Sequence, residues 1–407
     1  MALDLDYWTA DIVSRQLGGR PDLGNVTLRE AIDIYTEEKL RENFEYAKAN
    51  SRFYGKKLAG IDVTGGASGG NGGASGSLGG ASCGEVPAGW EDVPFTTVDE
   101  LCENGMDFLC VSPADISRIV TMQTSGTTGD PKRIYFTKED QELTVDFFDH
   151  GMRLICDETD TVLILMPAAS EGSIGKLLGE GLRRFGARTI EYGVPFMETQ
   201  TATLDGGDAG TSDGATSPAE GATWKQSSRA EEADKILQLI RDEGVTSVVA
   251  TPTHMVALAR AMERQAAAGE EEIYLRSILL SAEFVPNKTV MMLEEVFQAM
   301  VFEHYGMTEM GLGCAVSCGY GKGYHIRETD IFIELINPIT GEVVRGESPK
   351  TPGYSNFGEI VFTTLTRKGM PFIRYRTGDF SRWILDPCPC GSQMKRLDKV
   401  YPGEGRE

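Results

Sequence analysis

The sequence contains no long run of apolar residues. Its longest apolar segments, such as Thr161–Ala169, are far shorter than the about 20 residues that a membrane-spanning helix needs. The start of the chain, MALDLDYWTADIVSRQLGG, also lacks a basic segment followed by an apolar one, which a secretory signal would show. We therefore expect a cytoplasmic protein with no membrane partner.

Positive charge is also scarce. The chain has 39 Lys and Arg residues against 61 Asp and Glu residues, for a formal net charge of −22. Such an excess of negative charge argues against a general nucleic-acid binder or a binder of anionic membranes. A phosphate-bearing ligand must then be held by local donors, against the overall field of the protein. The 8 cysteines are more naturally thiols or metal ligands than disulfides in a cytoplasmic chain.

Strands and helices alternate along most of the sequence. Strands are predicted at Arg118–Gln123, Thr161–Met166, Thr246–Ala250, Ser277–Leu280 and Val301–His304. Helices are predicted at Leu28–Leu58, from Thr137, and at Ile174–Phe185, Ala230–Glu243, His254–Arg264 and Asn287–Ala299. This alternation predicts an α/β fold with parallel sheets flanked by helices. From Thr329 the pattern changes, and Asp330–Ile336 and Glu359–Leu365 predict antiparallel strands of a smaller β subdomain.

Composition suggests the domain boundaries. Two stretches rich in Gly, Ser, Thr and Ala, residues 65–82 and 205–228, are predicted to be flexible insertions, because such chains bury too little apolar area to offset the entropy of ordering. The α/β subdomains then span residues 1–328. The β subdomain spans residues 329–396, and residues 397–407 form a turn-like end.

The strongest chemical signal is the segment TSGTTGDPK, Thr124–Lys132, which directly follows a predicted strand. Its small hydroxyl residues and glycines let N–H and O–H groups approach an anion closely, and Lys132 adds a positive charge. No Gly-Lys-Ser/Thr closes the segment, so it is not a Walker A loop. The residues expected to hold phosphate are Thr124, Ser125, Gly126, Thr127, Thr128, Gly129 and Lys132.

This segment resembles the phosphate loop of the adenylate-forming superfamily, which includes acyl-CoA synthetases, luciferases and the adenylation domains of peptide synthetases. The segment HYGMTE, His304–Glu309, is similar to the superfamily's Tyr-Gly-x-Thr-Glu motif. Tyr305 offers an aromatic face for a purine, Thr308 a hydroxyl near the α-phosphate, and Glu309 a hard oxygen ligand for Mg²⁺. The resemblance implies nucleotide-binding roles for His304, Tyr305, Gly306 and Thr308, and catalytic roles for Lys132, Thr308 and Glu309.

A third segment, YRTGD, ends at Asp379, which in the superfamily accepts hydrogen bonds from the ribose hydroxyls. Arg396 and Asp398 resemble the superfamily's Arg-x-Asp hinge, in which the arginine also contacts the ribose; an ordinary surface ion pair is the alternative. Ser281–Glu283 resembles a Gly-Ala-Glu segment of phenylacetate–CoA ligase-like enzymes. That similarity implies that Ala282 and Glu283 line the nucleotide or acyl site.

The resemblance implies ATP-dependent activation of a carboxylic acid, with an aryl or arylacetic acid as the guess. An acyl-adenylate and pyrophosphate would form, and CoA would then displace AMP. The implied ligands are ATP, Mg²⁺, CoA and the acid, and a homodimer is a further expectation. Two alternatives stay open: transfer of AMP or acyl to a non-CoA acceptor, such as a deazaflavin cofactor, or a non-catalytic nucleotide-binding protein.

The superfamily's small C-terminal domain, commonly about 100 residues, has no counterpart after Arg396, where only residues 397–407 follow. We therefore expect the chain to be the large N-terminal domain, ending in the hinge. A catalytic lysine of the superfamily lies in that small domain, so the resemblance implies slow adenylation by this chain alone. Either the chain is truncated or the natural protein works without that domain.

Four potential metal ligands occur late in the sequence. Cys318, His325, Cys388 and Cys390 supply the soft and borderline ligands that a tetrahedral structural Zn²⁺ site uses. Some phenylacetate–CoA ligase-like proteins have a similar pattern. Cys314 is a rival ligand, and buried thiols without metal are the alternative. We predict that zinc connects the β subdomain to the loop after the HYGMTE segment.

Overall fold

The computed structural model describes residues 4–18, 26–63, 86–122, 131–193, 218–344 and 357–403, with the backbone alone in 218–228. The α-helices are α1 (Asp4–Leu17), α2 (Leu28–Asn50), α3 (Arg52–Lys57), α4 (Val98–Asn104), α5 (Lys138–Met152), α6 (Ile174–Arg184), α7 (Pro218–Glu243), α8 (Pro252–Ala267) and α9 (Asn287–Phe297). The strands are β1 (Arg118–Met122), β2 (Lys132–Phe136), β3 (Thr161–Ile164), β4 (Arg188–Glu191), β5 (Ser247–Ala250), β6 (Ser277–Leu280), β7 (Met300–Tyr305), β8 (Ala315–Val316), β9 (Tyr324–Ile326), β10 (Ile331–Ile336), β11 (Phe357–Thr364), β12 (Tyr375–Ile384), β13 (Arg396–Leu397) and β14 (Tyr401–Pro402). None of the described helices is long and apolar enough to cross a bilayer.

The chain forms two compact units. The first combines Met1–Ile155 with Phe302–Glu407, and the second is Cys156–Val301. The subdivision predicted at residues 328 and 396 falls within the first unit, and it stays a prediction.

The second unit contains a parallel sheet in the order β4-β3-β5-β6. Helices connect successive strands, as parallel pairing requires, since the chain must cross back to the same end of the sheet. Strands β5 and β6 are buried along their whole length, which explains their apolar sequences SVVA and SILL. The parallel α/β pattern predicted from the sequence is confirmed here.

The first unit is built mainly from antiparallel strands. Strands β10, β11 and β12 pair in order, and β12, β13, β9, β8 and β7 continue through antiparallel pairs. The register Ile331↔Thr364 confirms the antiparallel pair predicted for these two segments. A separate hairpin joins β1 to β2, with Met122 opposite Lys132. This hairpin brings Lys132 to the start of a strand, and the strand assignment of Lys132–Phe136 was missed from the sequence.

The helix predicted at Leu28–Leu58 is wrong in one respect, because the structure breaks it at Ser51. Ser51 is extended (φ −92°, ψ 131°), and its hydroxyl accepts a hydrogen bond from the N–H of Tyr54, which caps α3. A serine at this position offers the backbone a local partner and so ends one helix while starting the next.

The predicted insertion at residues 205–228 also needs correction. Helix α7 begins at Pro218, so residues 218–228 are helical although their composition suggested a loop. Proline is favoured at a helix start because its missing N–H would be unpaired there anyway. The insertion predicted at 65–82 and the rest of the second one, 205–217, lie outside the described residues.

Candidate nucleotide site and metal cluster

A buried carboxylate lies where two of the sequence segments meet. Glu309 is in a short 3₁₀ turn, Thr308–Met310, and only 1% of its surface is exposed. Its Oε1 forms an ion pair with Nζ of Lys132, the first residue of β2. The hydroxyl of Tyr375, the first residue of the YRTGD segment, donates to the same oxygen at 3.2 Å. Because a buried charge needs paired and hydrogen-bonded partners, these contacts hold three segments of the sequence together.

A second contact joins the HYGMTE and YRTGD segments. The hydroxyl of Tyr305 donates to Oδ2 of Asp379 at 3.0 Å. Burial, followed by the nearby charge of Asp379, raises the pKa of Tyr305 well above its ordinary value, so the phenol stays protonated and keeps donating. The backbone bends at Gly378 (φ +74°), a conformation that favours glycine. Asp379 itself is half-buried on β12, a position that suits contact with a ligand's hydroxyl groups.

His304 lies beside two aromatic rings of α5. Its ring centroid is 6.2 Å from that of Phe147 and 6.5 Å from that of Phe148. Burial lowers the pKa of His304 to about 4, so the imidazole is neutral near pH 7. Gly306, two residues on, has no room for a side chain, because a Cβ there would lie 2.8 Å from the carbonyl oxygen of Leu312.

In the second unit, the other predicted nucleotide residues, Ala282 and Glu283, lie in the loop between β6 and α9, and Glu283 contacts the start of α8. Oε2 of Glu283 accepts hydrogen bonds from the N–H and the hydroxyl of Thr253, at 3.1 Å and 2.6 Å. Ala282 adopts a left-handed conformation (φ +70°), which is uncommon for a residue other than glycine. Local strain of this kind is often found at functional positions. The segment Ser281–Glu283, which resembles phenylacetate–CoA ligases, is therefore in contact with the start of α8.

The four predicted metal ligands form one buried cluster. The ligand atoms of Cys318, His325, Cys388 and Cys390 all lie within 4.8 Å of one another, and Cys314 is not among them. Sγ of Cys318 is 3.6 Å from Sγ of Cys388, and Sγ of Cys390 is 3.5 Å from Nε2 of His325. A tetrahedral zinc ion with ordinary bond lengths would separate two sulfurs by about 3.8 Å and a sulfur and a nitrogen by about 3.6 Å. The geometry therefore fits a zinc ion.

The protonation states of the cluster also suit a cation. Burial, helped by the charge of Arg396, lowers the pKa of His325 to about 4, so its imidazole is neutral and can coordinate a metal. Burial alone would raise the pKa of Cys388, but hydrogen bonds to its sulfur from Cys390 and Cys318 outweigh this and lower it. Burial raises the pKa of Cys390 to about 12. Deprotonation of Cys390 in addition to Cys388 would therefore require a further positive charge beside the two sulfurs.

The chain is similar to one protein family and to several known enzymes. A family model described as AMP-binding enzyme matches residues 217–360. A phenylacetate–coenzyme A ligase of Pseudomonas putida is 33% identical over 171 residues, which is 42% of this chain and 36% of the ligase. A phenylacetate–coenzyme A ligase of Aromatoleum evansii is 27% identical over 314 residues, 75% of this chain and 59% of that ligase. The chain thus spans between a third and three fifths of the length of these relatives.

The chain is therefore similar to AMP-binding enzymes and to phenylacetate–coenzyme A ligases. A solved 2-hydroxyisobutyryl-CoA ligase, in complex with 2-HIB-AMP and CoA, shares its fold and superposes with a TM-score of 0.65. That structure is 20% identical to this chain, and the match covers 91% of this chain and 68% of the ligase.

Arg396 lies on β13. It pairs with Ile384, five residues along β12 from Asp379, which is about 16 Å at the usual rise of a strand. Its guanidinium donates to the carbonyl oxygens of Lys322, at 2.8 Å, and Asp386. Arg396 therefore supports the loops that carry the cysteine cluster, and neither of these two hydrogen bonds involves Asp379. The ribose contact of Arg396 stays a prediction from the resemblance.

The sequence interpretation missed one member of the site. Tyr375 was not singled out, although it begins the YRTGD segment and its hydroxyl contacts Glu309. The predicted phosphate-binding residues Thr124, Ser125, Gly126, Thr127, Thr128 and Gly129 lie outside the described residues. Thr308 opens the turn that contains Glu309 and is half-buried, so its hydroxyl is close to the site.

Proposed function

We propose that this chain binds ATP and activates a carboxylic acid as an acyl-adenylate, releasing pyrophosphate, and that CoA then displaces AMP. The observation that carries the proposal is the convergence of Lys132, Tyr305, Glu309, Tyr375 and Asp379. These residues come from three segments of the sequence, and they make three contacts. Lys132 and Tyr375 each contact Glu309, and Tyr305 contacts Asp379. The names of the curated relatives, both phenylacetate–coenzyme A ligases, agree with this reaction.

This reaction requires the protein to position the substrates and to stabilise the developing charge, and it needs no covalent nucleophile. The substrate carboxylate attacks the α-phosphorus of ATP, and negative charge builds on the phosphate oxygens as pyrophosphate leaves. In our proposal Lys132 and the hydroxyl of Thr308 stabilise that charge. The half-buried carboxylate of Asp379 accepts hydrogen bonds from the ribose, and Tyr305 holds Asp379 in place. The nucleotide-binding roles of Thr124–Gly129, Ala282 and Glu283 stay predictions from the sequence.

A magnesium ion would be held by Glu309. Magnesium is usually bound through one or two carboxylates together with substrate phosphates, and a single buried carboxylate facing a lysine fits that set. The ion supplies a positive charge that offsets the charge of the phosphates. In the absence of nucleotide, the ammonium of Lys132 balances Glu309. When a triphosphate binds, Lys132 has a second anionic partner in reach.

We further propose that Cys318, His325, Cys388 and Cys390 hold a structural zinc ion. The support is the distance set among the four ligand atoms and the neutral state of His325. Zinc at this site would connect the loop before β9 to the loop before β13. Its role would be to hold these loops, because all four ligand positions are filled by protein side chains.

The substrate class and the acceptor form the finer part of the proposal. An aryl or arylacetic acid is favoured by the names of the relatives, and CoA is favoured as the acceptor for the same reason. A homodimer and a cytoplasmic location stay predictions from the sequence. A non-CoA acceptor is the competing possibility within the same fold.

Product analysis tests the proposal. The full chain is incubated with Mg·ATP and a panel of carboxylic acids, with and without CoA, and AMP and acyl-CoA are measured by chromatography. We expect AMP to form only with acid, phenylacetate or a related aryl acid to be preferred, and CoA to increase turnover. Acid-dependent AMP without any acyl-CoA would assign a different acceptor. Saturable ATP binding with no AMP from any acid would favour the non-catalytic alternative.

A further inference from the structure

Arg367 is a buried arginine with no role in the proposed reaction so far. It lies in the loop between β11 and β12 and is 5% exposed. Its guanidinium is stacked on the ring of Phe136, 4.3 Å from the centroid, and lies 5.7 Å from the centroid of Phe372. Burial of this kind lowers the pKa of Arg367, although the neighbouring Asp140 and Glu309 carboxylates partly offset the effect.

The guanidinium connects two segments of the nucleotide site. One terminal nitrogen donates to the backbone carbonyl of Glu309 at 2.8 Å, and the other donates to the backbone carbonyl of Tyr135 at 3.0 Å. Glu309 is the proposed magnesium ligand, and Tyr135 is on the strand β2 that begins with Lys132. The fork of a single side chain therefore bridges the two chain segments that supply the ion pair Lys132–Glu309.

The loop that carries Arg367 is fixed by contacts of its own. Both oxygens of Asp140 accept from the loop backbone, at 2.9 Å from Lys368 N–H and 3.0 Å from Gly369 N–H. The N–H of Leu365 donates to the carbonyl of Asp330 at 2.8 Å. Since these bonds do not involve the arginine side chain, the loop should keep its place when that side chain is shortened. The rigid planar fork of arginine is then held at a defined position.

We propose that Arg367 is a positioning residue that sets the distance between Glu309 and the strand carrying Lys132, and so tunes metal binding at the nucleotide site. The inference rests on the proposed function, because it assumes that Glu309 binds a divalent cation together with ATP. Arg367 acts only through main-chain carbonyls and contacts no ligand itself. Lysine cannot replace it, because a single ammonium presents its donors from one point and cannot reach both carbonyls in the same geometry.

The test measures metal affinity separately from nucleotide affinity. Free Mn²⁺ is titrated by electron paramagnetic resonance against the full chain with a saturating non-hydrolysable ATP analogue, and AMP affinity is measured without metal by calorimetry. The variants are Arg367→Met, which keeps the bulk of the stem, and Arg367→Lys, which keeps the charge. The matched control is Arg327→Met, because Arg327 is another buried arginine of the first unit; it pairs with Asp330 and donates to the carbonyl of Leu143.

We expect both Arg367 variants to bind Mn²⁺ about tenfold more weakly while AMP affinity stays within about twofold of wild type, since the lost hydrogen bonds act on Glu309 and β2. Arg327→Met should lower the melting temperature and leave both affinities unchanged. Wild-type Mn²⁺ affinity in Arg367→Lys, or a parallel loss of Mn²⁺ and AMP affinity, would overturn the inference and leave a structural role. If the wild-type chain binds neither AMP nor Mn²⁺ with the analogue, the proposed function fails first, and the inference falls with it.

Discussion

Two polar clusters in the first unit differ in how their charges are balanced. At the nucleotide site, Glu309 already has a cation of the chain's own, the ammonium of Lys132, and a hydroxyl donor in Tyr375. In the other cluster, three cysteines and His325 place their ligand atoms within 4.8 Å of one another. The charge of Arg396 acts on this cluster, but its guanidinium donates to the carbonyl oxygens of Lys322 and Asp386. Both clusters are buried, so the difference is not one of exposure.

That difference indicates two kinds of cation site. A carboxylate that is paired with a lysine of the same chain is neutralised without a metal. It can bind a metal ion when the lysine pairs with a phosphate instead. In the cysteine cluster, the charge of Arg396 favours one thiolate, and a second thiolate would form beside a bound cation. We therefore expect a permanent metal in the cysteine cluster and an exchangeable one at Glu309.

The largest effect should follow from breaking the permanent site. Cys388→Ser should reduce zinc from about one per chain to well under one. It should also lower the free energy of unfolding by on the order of 3–5 kcal/mol, because metal binding there is part of folding. Elemental analysis measures the zinc content, and urea melts measure the free energy of unfolding. Cys314→Ala is the control, since Cys314 is buried but outside the cluster, and it should keep its zinc. Freshly purified wild-type protein with little zinc and no uptake on reconstitution would contradict the assignment.

Removing the negative charge of Glu309 should abolish metal binding at the exchangeable site. Glu309→Gln keeps the shape and still accepts the hydrogen bond of Tyr375, but it cannot balance a divalent ion. We expect the rate of acid-dependent AMP formation to fall by about 100-fold or more. Glu139→Gln, at an exposed position of α5, is the matched control. A wild-type rate in the Glu309 variant would remove Glu309 from the mechanism.

His304, beside the nucleotide site, sharpens the comparison through pH. Burial lowers the pKa of His304 from 6.5 to about 4, so between these values the unfolded chain binds a proton that the folded chain does not. The stability contributed by His304 is therefore complete above about pH 6.5 and is lost as the pH falls towards 4. The loss amounts to about 3 kcal/mol.

Urea melts of the wild-type chain and of His304→Asn across pH 4–7 check this expectation, because the difference between the two curves isolates His304. The free energy of unfolding of the wild-type chain minus that of His304→Asn should increase as the pH rises from 4, and it should level off near neutrality. A difference that does not change with pH would show that His304 titrates normally.

The smallest predicted effect concerns the built-in cation itself. Lys132→Met leaves the buried Glu309 without its counter-charge, so affinity for Mn²⁺ in the absence of nucleotide should rise about tenfold. The neighbouring Arg133 is exposed on β2, and Arg133→Met serves as the control. Metal titration followed by electron paramagnetic resonance gives both values. Equal Mn²⁺ affinity in the two variants would mean that Lys132 does not occupy the place of the metal.

Sequence reasoning predicted the side chains at both sites more successfully than the contacts that hold them. Glu309, Asp379 and the four metal ligands lie in contiguous motifs or informative pairs, and motifs of this kind preserve residue type and spacing. Arg367 acts through main-chain carbonyls, which leave no trace in the sequence around Glu309 or Tyr135. The ribose contact of Arg396 stays a prediction, because a triplet defines only local spacing, whereas the position of Arg396 depends on the pairing of β13 with β12 and β9.

The fold shows the same limit. The parallel strands β5 and β6 were predicted within a residue because continuous apolar runs mark strands buried on both faces. The break at Ser51 was missed because apolar residues continue at helical spacing on both sides of it, and only the hydroxyl that caps α3 gives the break away.

Calorimetric titration of Mg·ATP into the full chain tests the central claim most directly, with Asp379→Asn as the variant and Asp386→Asn, beyond the end of the same strand, as the control. We predict saturable binding by the wild-type chain and the control, and binding at least about tenfold weaker in Asp379→Asn, because the ribose loses a charged acceptor. Equal binding by all three would place the nucleotide elsewhere, and no saturable binding by the wild-type chain would contradict the nucleotide site itself.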